Sequence, residues 1–452
     1  GGALNDRSDD GFGALLPEVR VQPPADASRA MVERLRAVES RNITYVDDGW
    51  PVFWQEARGA NVRDVDGNVY VDLSSAFGVA LLGHNNPAVV SAVREQSGTL
   101  MHGMGDVHPS GPKLELLERL CALAPWGQAR AVLATTGSEA VEVALKTAQV
   151  ATGRPGLLAF TGGYHGLTLG ALAVTEREHF RAPFTARLYG GVAFAAFPDL
   201  ALDGEGAADM ALTEVRVALE NGPPNGDAIG AVIVEPVQGR AGARIAPDGF
   251  MASLSQIASE SGVLVIADEV LTGLGRCGAM FASQLVGLEP DIVCVGKALG
   301  GGVPISACLA RREVMDAWPE SRGEAIHTST FLGHPLACAA ALAFLNILES
   351  EHIADRARAL GARLLEVLRG ELASAQGVID VRGLGALIGI ELVGEGQAVR
   401  VAEAALREGL ILLPAGDRGQ VIELTPPATL SDLQAEHACR VLVRLIQEVA
   451  QG

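Results

Sequence analysis

The stretch 262–297, GVLVIADEVLTGLGRCGAMFASQLVGLEPDIVCVGK, contains two apolar runs of strand length, GVLVIADEV (262–270) and DIVCVGK (291–297). Short runs of this kind, rich in Val and Ile, suit strands buried on both faces, and strands alternating with helical segments build a mainly parallel sheet. Both runs end on charge: Asp268 and Glu269 close the first, Lys297 the second. A buried charge is costly unless it is paired, and ligands of open parallel sheets collect at the carboxyl ends of the strands. An Asp268–Lys297 ion pair and a reactive site are both consistent with these positions.

Outward from this pair the same pattern recurs. AVLATT (131–136), GLLAF (156–160), AIGAVIVEP (228–236) and ISACLA (305–310) read as further buried strands, so an α/β unit runs from about residue 112 to 309. On the N-terminal side, residues 1–40 form a polar lead-in ending in a helix over Ser28–Glu39 with Ser28 as its N-cap, and NVRDVDGNVYVDL (61–73) reads as a hairpin. On the C-terminal side come an Ala-rich helix (336–348) and an amphipathic helix (351–374). Strands follow in VIDVRGLGALIGIELV, ILLPA and VIEL, then a closing helix over 431–449. The expected division is residues 1–75 contributing to a small domain, 76–345 forming a large α/β domain, and 346–452 forming a small α+β domain.

Composition narrows the function. With 35 Lys and Arg against 54 Asp and Glu the net charge is −19, which argues against nucleic acid and anionic membrane as partners. No apolar run reaches the length of a membrane span and the first ten residues are polar, so a cytoplasmic protein is expected. Six cysteines without a CxxC pair, and histidines without an HExxH, give no metal site to expect. GLGRCG (273–278) fits GxGxxG but follows a strand ending AspGluVal without an acidic ribose partner, so no dinucleotide site is assigned.

Only three residues, Lys113, Lys146 and Lys297, are lysines. The first two fall in amphipathic helical patterns, where a solvated lysine is the ordinary reading. Lys297 ends a buried strand ahead of AlaLeuGlyGlyGly. Such a lysine can have its pKa lowered and serve as an amine nucleophile. TTGSEA (135–140) adds a strand end, Gly137, and Ser138 as a helix cap, an arrangement suited to an anion. A pyridoxal phosphate site needs an amine for a Schiff base, a carboxylate to keep the pyridine nitrogen protonated, and an anion cradle. Lys297, Asp268 and Gly137–Ser138 supply all three.

With these residues in place the chain resembles the class III (omega) aminotransferases of fold type I, which include ornithine and 4-aminobutyrate aminotransferases. The motifs are TTGSEAVEVALKTA, GGYHG, VIVEPVQG, ADEVLTGLGRCG, VGKALGGGVP, STFLGHPLACAAAL and VIELTPP, running from about Trp54 to the end. The resemblance implies a seven-stranded, mainly parallel sheet and a pyridoxal 5′-phosphate cofactor. It also implies that Tyr164 stacks on the pyridine ring, Val270 packs the other face, Gln238 approaches the ring hydroxyl and Glu235 supports that wall, with His165 nearby. Thr330 is implied to reach the phosphate of a neighbouring subunit, hence a homodimer. The activity implied is transamination from an amine or amino acid to a 2-oxo acid in two half-reactions through Lys297.

The chain departs from the family in charge. Leu167 stands where the aminobutyrate and ornithine enzymes have arginine, Glu423 where they have the arginine before ProPro, and Arg240 where they have an acid. This exchange is read as a retained Arg240–Glu423 ion pair in the empty site, with Arg240 receiving the acceptor carboxylate. Phe77 falls where the family lines the substrate pocket. Amino-lactam racemases of the family also place Glu before ThrProPro, which keeps a racemase or epimerase as the alternative.

Overall fold

The computed structural model describes residues 11–451. An N-terminal meander comprises β1 (Trp54–Arg58), β2 (Asn61–Asp64) and β3 (Val69–Asp72). The main sheet is built from β4 (Ala129–Ala134), β5 (Gly156–Phe160), β6 (Val192–Ala195), β7 (Ile229–Val234), β8 (Leu264–Asp268), β9 (Ile292–Val295) and β10 (Ser306–Arg311). The C-terminal part adds β11 (Val378–Leu384), β12 (Leu387–Leu392), β13 (Leu410–Ile411), β14 (Leu413–Ala415) and β15 (Val421–Leu424).

The seven-stranded sheet has the order β4-β10-β9-β8-β7-β5-β6. β10 runs antiparallel to both its neighbours, and the other six strands share one direction. Every residue of β7 and β9 is buried, as the unbroken apolar runs predict. β6 is absent from the strands read in the sequence: its four residues, VAFA, lie between GlyGly and a proline-containing loop, and pairing with β5 makes the strand. Because the six strands are parallel, Thr136–Gly137, Tyr164–His165, Glu235, Asp268 and Lys297 all emerge at one edge of the sheet.

The helix Gly137–Thr152 begins on a capping box in which Thr136 Oγ1 accepts the Glu139 amide and Glu139 reaches back to Thr136. Thr136, rather than Ser138, is therefore the cap. Ala140, Val141, Val143, Ala144, Thr147 and Ala148 are its buried face, and Gly153 at φ +67° ends it. The first helix starts at Asp26 with Ala25 as N-cap, and Ser28 is buried inside it. Asp66, 38 residues on, accepts the amides of Ala27 and Ser28 (2.8 and 2.9 Å), a long-range cap that local sequence does not display. The expected lead-in over 1–40 falls partly on residues 1–10, outside the described ones.

β13 pairs in parallel with β3, and Val71 and Leu73 share one apolar core with Leu364, Ile388 and Ile422. The N-terminal meander thus packs with the C-terminal elements. The ILLPA run is split: β13 joins the meander sheet while β14 pairs with β15 in the β11-β12-β15-β14 sheet. No single helix among the described residues is long and apolar enough to cross a membrane.

Candidate active site

Lys297 follows β9 directly. The register pairs Asp268 with Cys294, and β9 ends at Val295 with Gly296 alone between it and the lysine. The Lys297 backbone has φ +40°, a strained value for a residue with a Cβ, of the kind that clusters at functional sites. Burial pushes its amine below the ordinary lysine range, although Glu423, Asp268 and Glu235 pull it up. Of the other two lysines, Lys146 is exposed and near His327 (3.2 Å), while Lys113 is half-buried rather than solvated and donates to the Gly105 carbonyl. Neither approaches this edge of the sheet.

Asp268 is buried, accepts the Val270 amide (3.1 Å) and is 2.7 Å from His165 Nδ1. Burial lowers the His165 pKa, but the hydrogen bond and charge of Asp268 outweigh it and the net shift is upward. His165 therefore stands behind Asp268 and fixes its orientation. Glu235 is also buried. Its two oxygens accept the Tyr164 amide (2.9 Å) and the Gly239 amide (3.1 Å), so it holds together the two loops of the Tyr164 wall. Burial pushes its carboxyl up to about 7, with His165 opposing and Asp268 adding to the shift.

Gln238 donates through Nε2 to the Thr161 carbonyl (2.8 Å), while its Oε1 is buried without a partner beside Gly162. Gly137 leaves room for Val270: a Cβ there would come within 2.7 Å of Val270 Cγ1. The Ser138 hydroxyl is 2.6 Å from the Thr168 hydroxyl and accepts the Thr168 amide (3.2 Å), which fixes it at the helix start. Tyr164 packs edge-on to Phe180, and the Arg240 guanidinium lies 5.6 Å from its ring centroid.

Phe77 is 61% exposed and sits in a turn, Ser75–Gly78, whose four residues all have positive φ. A Cβ on Gly78 would lie 3.9 Å from Lys297 Cδ, so the turn borders the lysine. Thr330 is exposed and outside this cluster. Arg240 and Glu423 share the site, but the expected ion pair is not formed: Arg240 Nε and Glu423 Oε2 are each buried without a hydrogen-bond partner. The reason lies in their placement. Arg240 turns onto the Tyr164 ring, and Glu423, on β15, faces Lys297 first and Arg240 second; burial raises its pKa against both. Sequence reading missed Arg177, whose guanidinium borders the same cleft as Tyr164 and Arg240.

A pyridoxal phosphate fits these residues: the unpartnered Gln238 Oε1 can accept from a ring hydroxyl, buried Asp268 offers an anion to a pyridinium, and Gly137 keeps Val270 free to pack a ring. Comparison with known proteins agrees with this reading. Residues 44–446 match the family model for aminotransferase class-III. The chain belongs to the class III aminotransferases. It is 36% identical over 435 residues to the 5-aminovalerate aminotransferase DavT of Pseudomonas aeruginosa, covering 94% of this chain and 99% of that protein. The 4-aminobutyrate aminotransferase of Mycobacterium leprae is 34% identical, with 94% and 96% covered. Among solved structures, the PLP-bound amine transaminase from an uncultivated Pseudomonas species superposes with TM-score 0.81 at 29% identity, covering 92% and 98%. A thermostable (S)-enantioselective omega-transaminase from Thermomicrobium roseum gives 0.85 at 27%, with 93% and 99% covered. This class III aminotransferase has the fold type I architecture, and its function is PLP-dependent transamination.

Proposed function

We propose that this class III aminotransferase moves the amino group of an amine or ω-amino acid to a 2-oxo acid, with Lys297 as the proton-transferring residue and Arg240 as the receiver of the acceptor carboxylate. The observation that carries it is that Asp268 and Arg240, whose Nε is unpartnered, both lie close enough to the buried Lys297 amine for their charges to act on it. The activities named for the 5-aminovalerate and 4-aminobutyrate enzymes support a donor whose amine is remote from its carboxylate. When bound, the cofactor supplies an electron sink that acidifies the substrate Cα–H and carries nitrogen between the two half-reactions.

The chain's own residues do the rest. Lys297, with its amine pKa depressed, takes the proton from the substrate Cα. Asp268, backed by His165, keeps the ring nitrogen protonated because an adjacent anion favours the charged form. Tyr164 and Val270 would hold the ring, Gln238 would take its hydroxyl, and the Gly137–Ser138 helix start would take its phosphate. Phe77 lines the mouth. Arg240, with its fork unpaired, is preorganised for bidentate carboxylate binding. Glu423, close to Lys297, leaves it free to do so.

The homodimer and the cytoplasmic setting belong to the same proposal. The segment carrying Thr330 is exposed along with Phe331 and Ile326, which supports burial against a second subunit. Sedimentation should show a dimer, and a fully active monomer would contradict it. Six free cysteines suit a reducing compartment.

Arg240→Ala tests the acceptor assignment. Loss of a charge-assisted hydrogen bond of about 1.5–3 kcal/mol should raise the acceptor KM about ten- to a hundredfold, with a much smaller effect on a donor lacking a carboxylate. Equal penalties for charged and uncharged substrates would make Arg240 structural and move the acceptor site elsewhere.

A further inference from the structure

The short helix Leu169–Val174 follows the loop that carries Tyr164 and His165, and Thr168 stands at its N-cap. A threonine there ordinarily accepts an amide of its own first turn, but Thr168 makes no such bond. Glu142, on the helix that starts with Gly137 and Ser138, takes over that task. Its Oε1 accepts the amides of Gly170 (3.0 Å) and Ala171 (3.1 Å) and also the Thr168 hydroxyl (2.6 Å). Thr168 is thereby released from its own helix and reaches back to Ser138.

The hydrogens of this chain of contacts can be assigned one by one. Thr168 has a single hydroxyl hydrogen, and Glu142 takes it. In the 2.6 Å contact between the two hydroxyls Ser138 is therefore the donor. Ser138 Oγ in turn accepts the Thr168 amide (3.2 Å), which fixes the oxygen. Its hydrogen can then swing from Thr168 to a charged acceptor such as a phosphate oxygen while the oxygen stays where it is. Two glycines let the loop come this close: a Cβ on Gly166, at φ +126°, would overlap Ser138 Oγ, and one on Gly170 would overlap Glu142 Oε2.

We propose that Glu142 is a positioning residue for the cofactor phosphate. Acting through Thr168, it holds the Ser138 hydroxyl at the helix start and ties that helix to the loop bearing Tyr164 and His165. This rests on the reading of Gly137–Ser138 as the phosphate-binding helix start and adds the residues behind it.

Equilibrium dialysis of the full chain against pyridoxal 5′-phosphate, and against pyridoxal, which lacks the phosphate, tests it. Glu142→Ala should weaken the phosphorylated form about five- to twentyfold and pyridoxal less than about twofold. Glu142→Gln keeps the acceptor oxygen and should stay within about threefold of the parent for both. Thr168→Val should reproduce the phosphate-dependent loss, and combining it with Glu142→Ala should add nothing further. Equal weakening of both ligands would show that Glu142 only caps the short helix, and additive losses would show that Thr168 is not the link; either result, or no weakening at all, overturns the proposal. Should Glu142→Ala not fold, Gly170→Ala decides. It raises helix propensity, yet its methyl displaces the Glu142 carboxylate, so it must weaken the phosphorylated form selectively, and unchanged affinity overturns the proposal. Ser138→Ala separates this inference from the reading beneath it. Loss of phosphate-dependent affinity in Ser138→Ala but not in Glu142→Ala rejects only the role of Glu142, whereas unchanged affinity in Ser138→Ala rejects the phosphate assignment itself.

Discussion

Three carboxylates, Glu235, Asp268 and Glu423, face Lys297, and each is held differently. Asp268 has a histidine and an amide, Glu235 two backbone amides, and Glu423 leaves one oxygen without a partner. Glu235 makes a pH-dependent prediction. Its carboxyl rises from 4.5 to about 7 in the fold, so the folded state holds a proton that the unfolded chain releases. Its favourable contribution is complete below pH 4.5 and is lost as the pH rises through about 7. In the cofactor-free protein, urea unfolding of Glu235→Gln should show a shallower loss of stability across that window than the parent. An identical slope in both would assign the titration to another group. Lys297 and Asp268 were legible in the sequence because charge at the end of an apolar strand has few structural excuses. Arg177 was not, because TEREHF reads as an ordinary polar surface segment and only the folded chain brings it beside Arg240.

The turn Ser75–Gly78 shows what whole elements contribute. Three residues with a Cβ in left-handed conformation cost roughly 3–6 kcal/mol, and the surrounding contacts must offset that. Asp72, fully buried, accepts the amides of Ser74 (2.8 Å) and Ala76 (3.0 Å) and the Ser74 hydroxyl (2.6 Å), and lies 2.8 Å from His84 Nε2. From the other side Arg276, fully buried, donates to Gly78 (3.3 Å), Ala386 and Pro426 carbonyls, fastening the turn to the C-terminal part. Asp72→Ala should cost about 3 kcal/mol or more in urea unfolding, since it strands several buried donors. It should also impair substrate binding more than cofactor binding, because Gly78 borders Lys297 and Phe77 is the residue proposed to line the substrate mouth; a stability change below about 0.5 kcal/mol would show that the turn is held without it. Among the elements, the strands of the large sheet were legible because both faces are apolar. β6 and the break between β13 and β14 were not, since each is defined by the partner strand it meets: β6 and β13 pair with strands 30 residues away or more, whereas β14 folds back on nearby β15. The missed cap of the first helix, Ala25 with Asp66, has the same long-range origin, whereas Thr136 was legible, since ThrGlySerGlu (136–139) spells a capping box.

At the scale of the molecule, the large sheet is packed by an apolar core on each face, and a further core joins the meander to the C-terminal sheet and helices. Most site residues come from the carboxyl ends of the large sheet's strands, and Glu423 and Gly416 come from beside the C-terminal core, so placement of the C-terminal part tunes the charges around Lys297. In the proposed reading, the exchange of charge at positions 240 and 423 acts on substrate choice. That the fold could be read from a few motifs follows from the same separation: cofactor chemistry constrains the sheet edge tightly, whereas substrate charge is set by residues that meet only across the two parts. The central claim is that this chain transfers an amino group by means of Lys297. It is tested most directly by mixing the pyridoxal phosphate-loaded enzyme with an amine donor in the absence of any oxo acid and measuring pyridoxamine phosphate and carbonyl product. The parent should form one of each per site, and Lys297→Ala should form neither at a comparable rate. Interconversion of donor enantiomers without pyridoxamine phosphate, or unchanged formation of it by Lys297→Ala, would contradict the account.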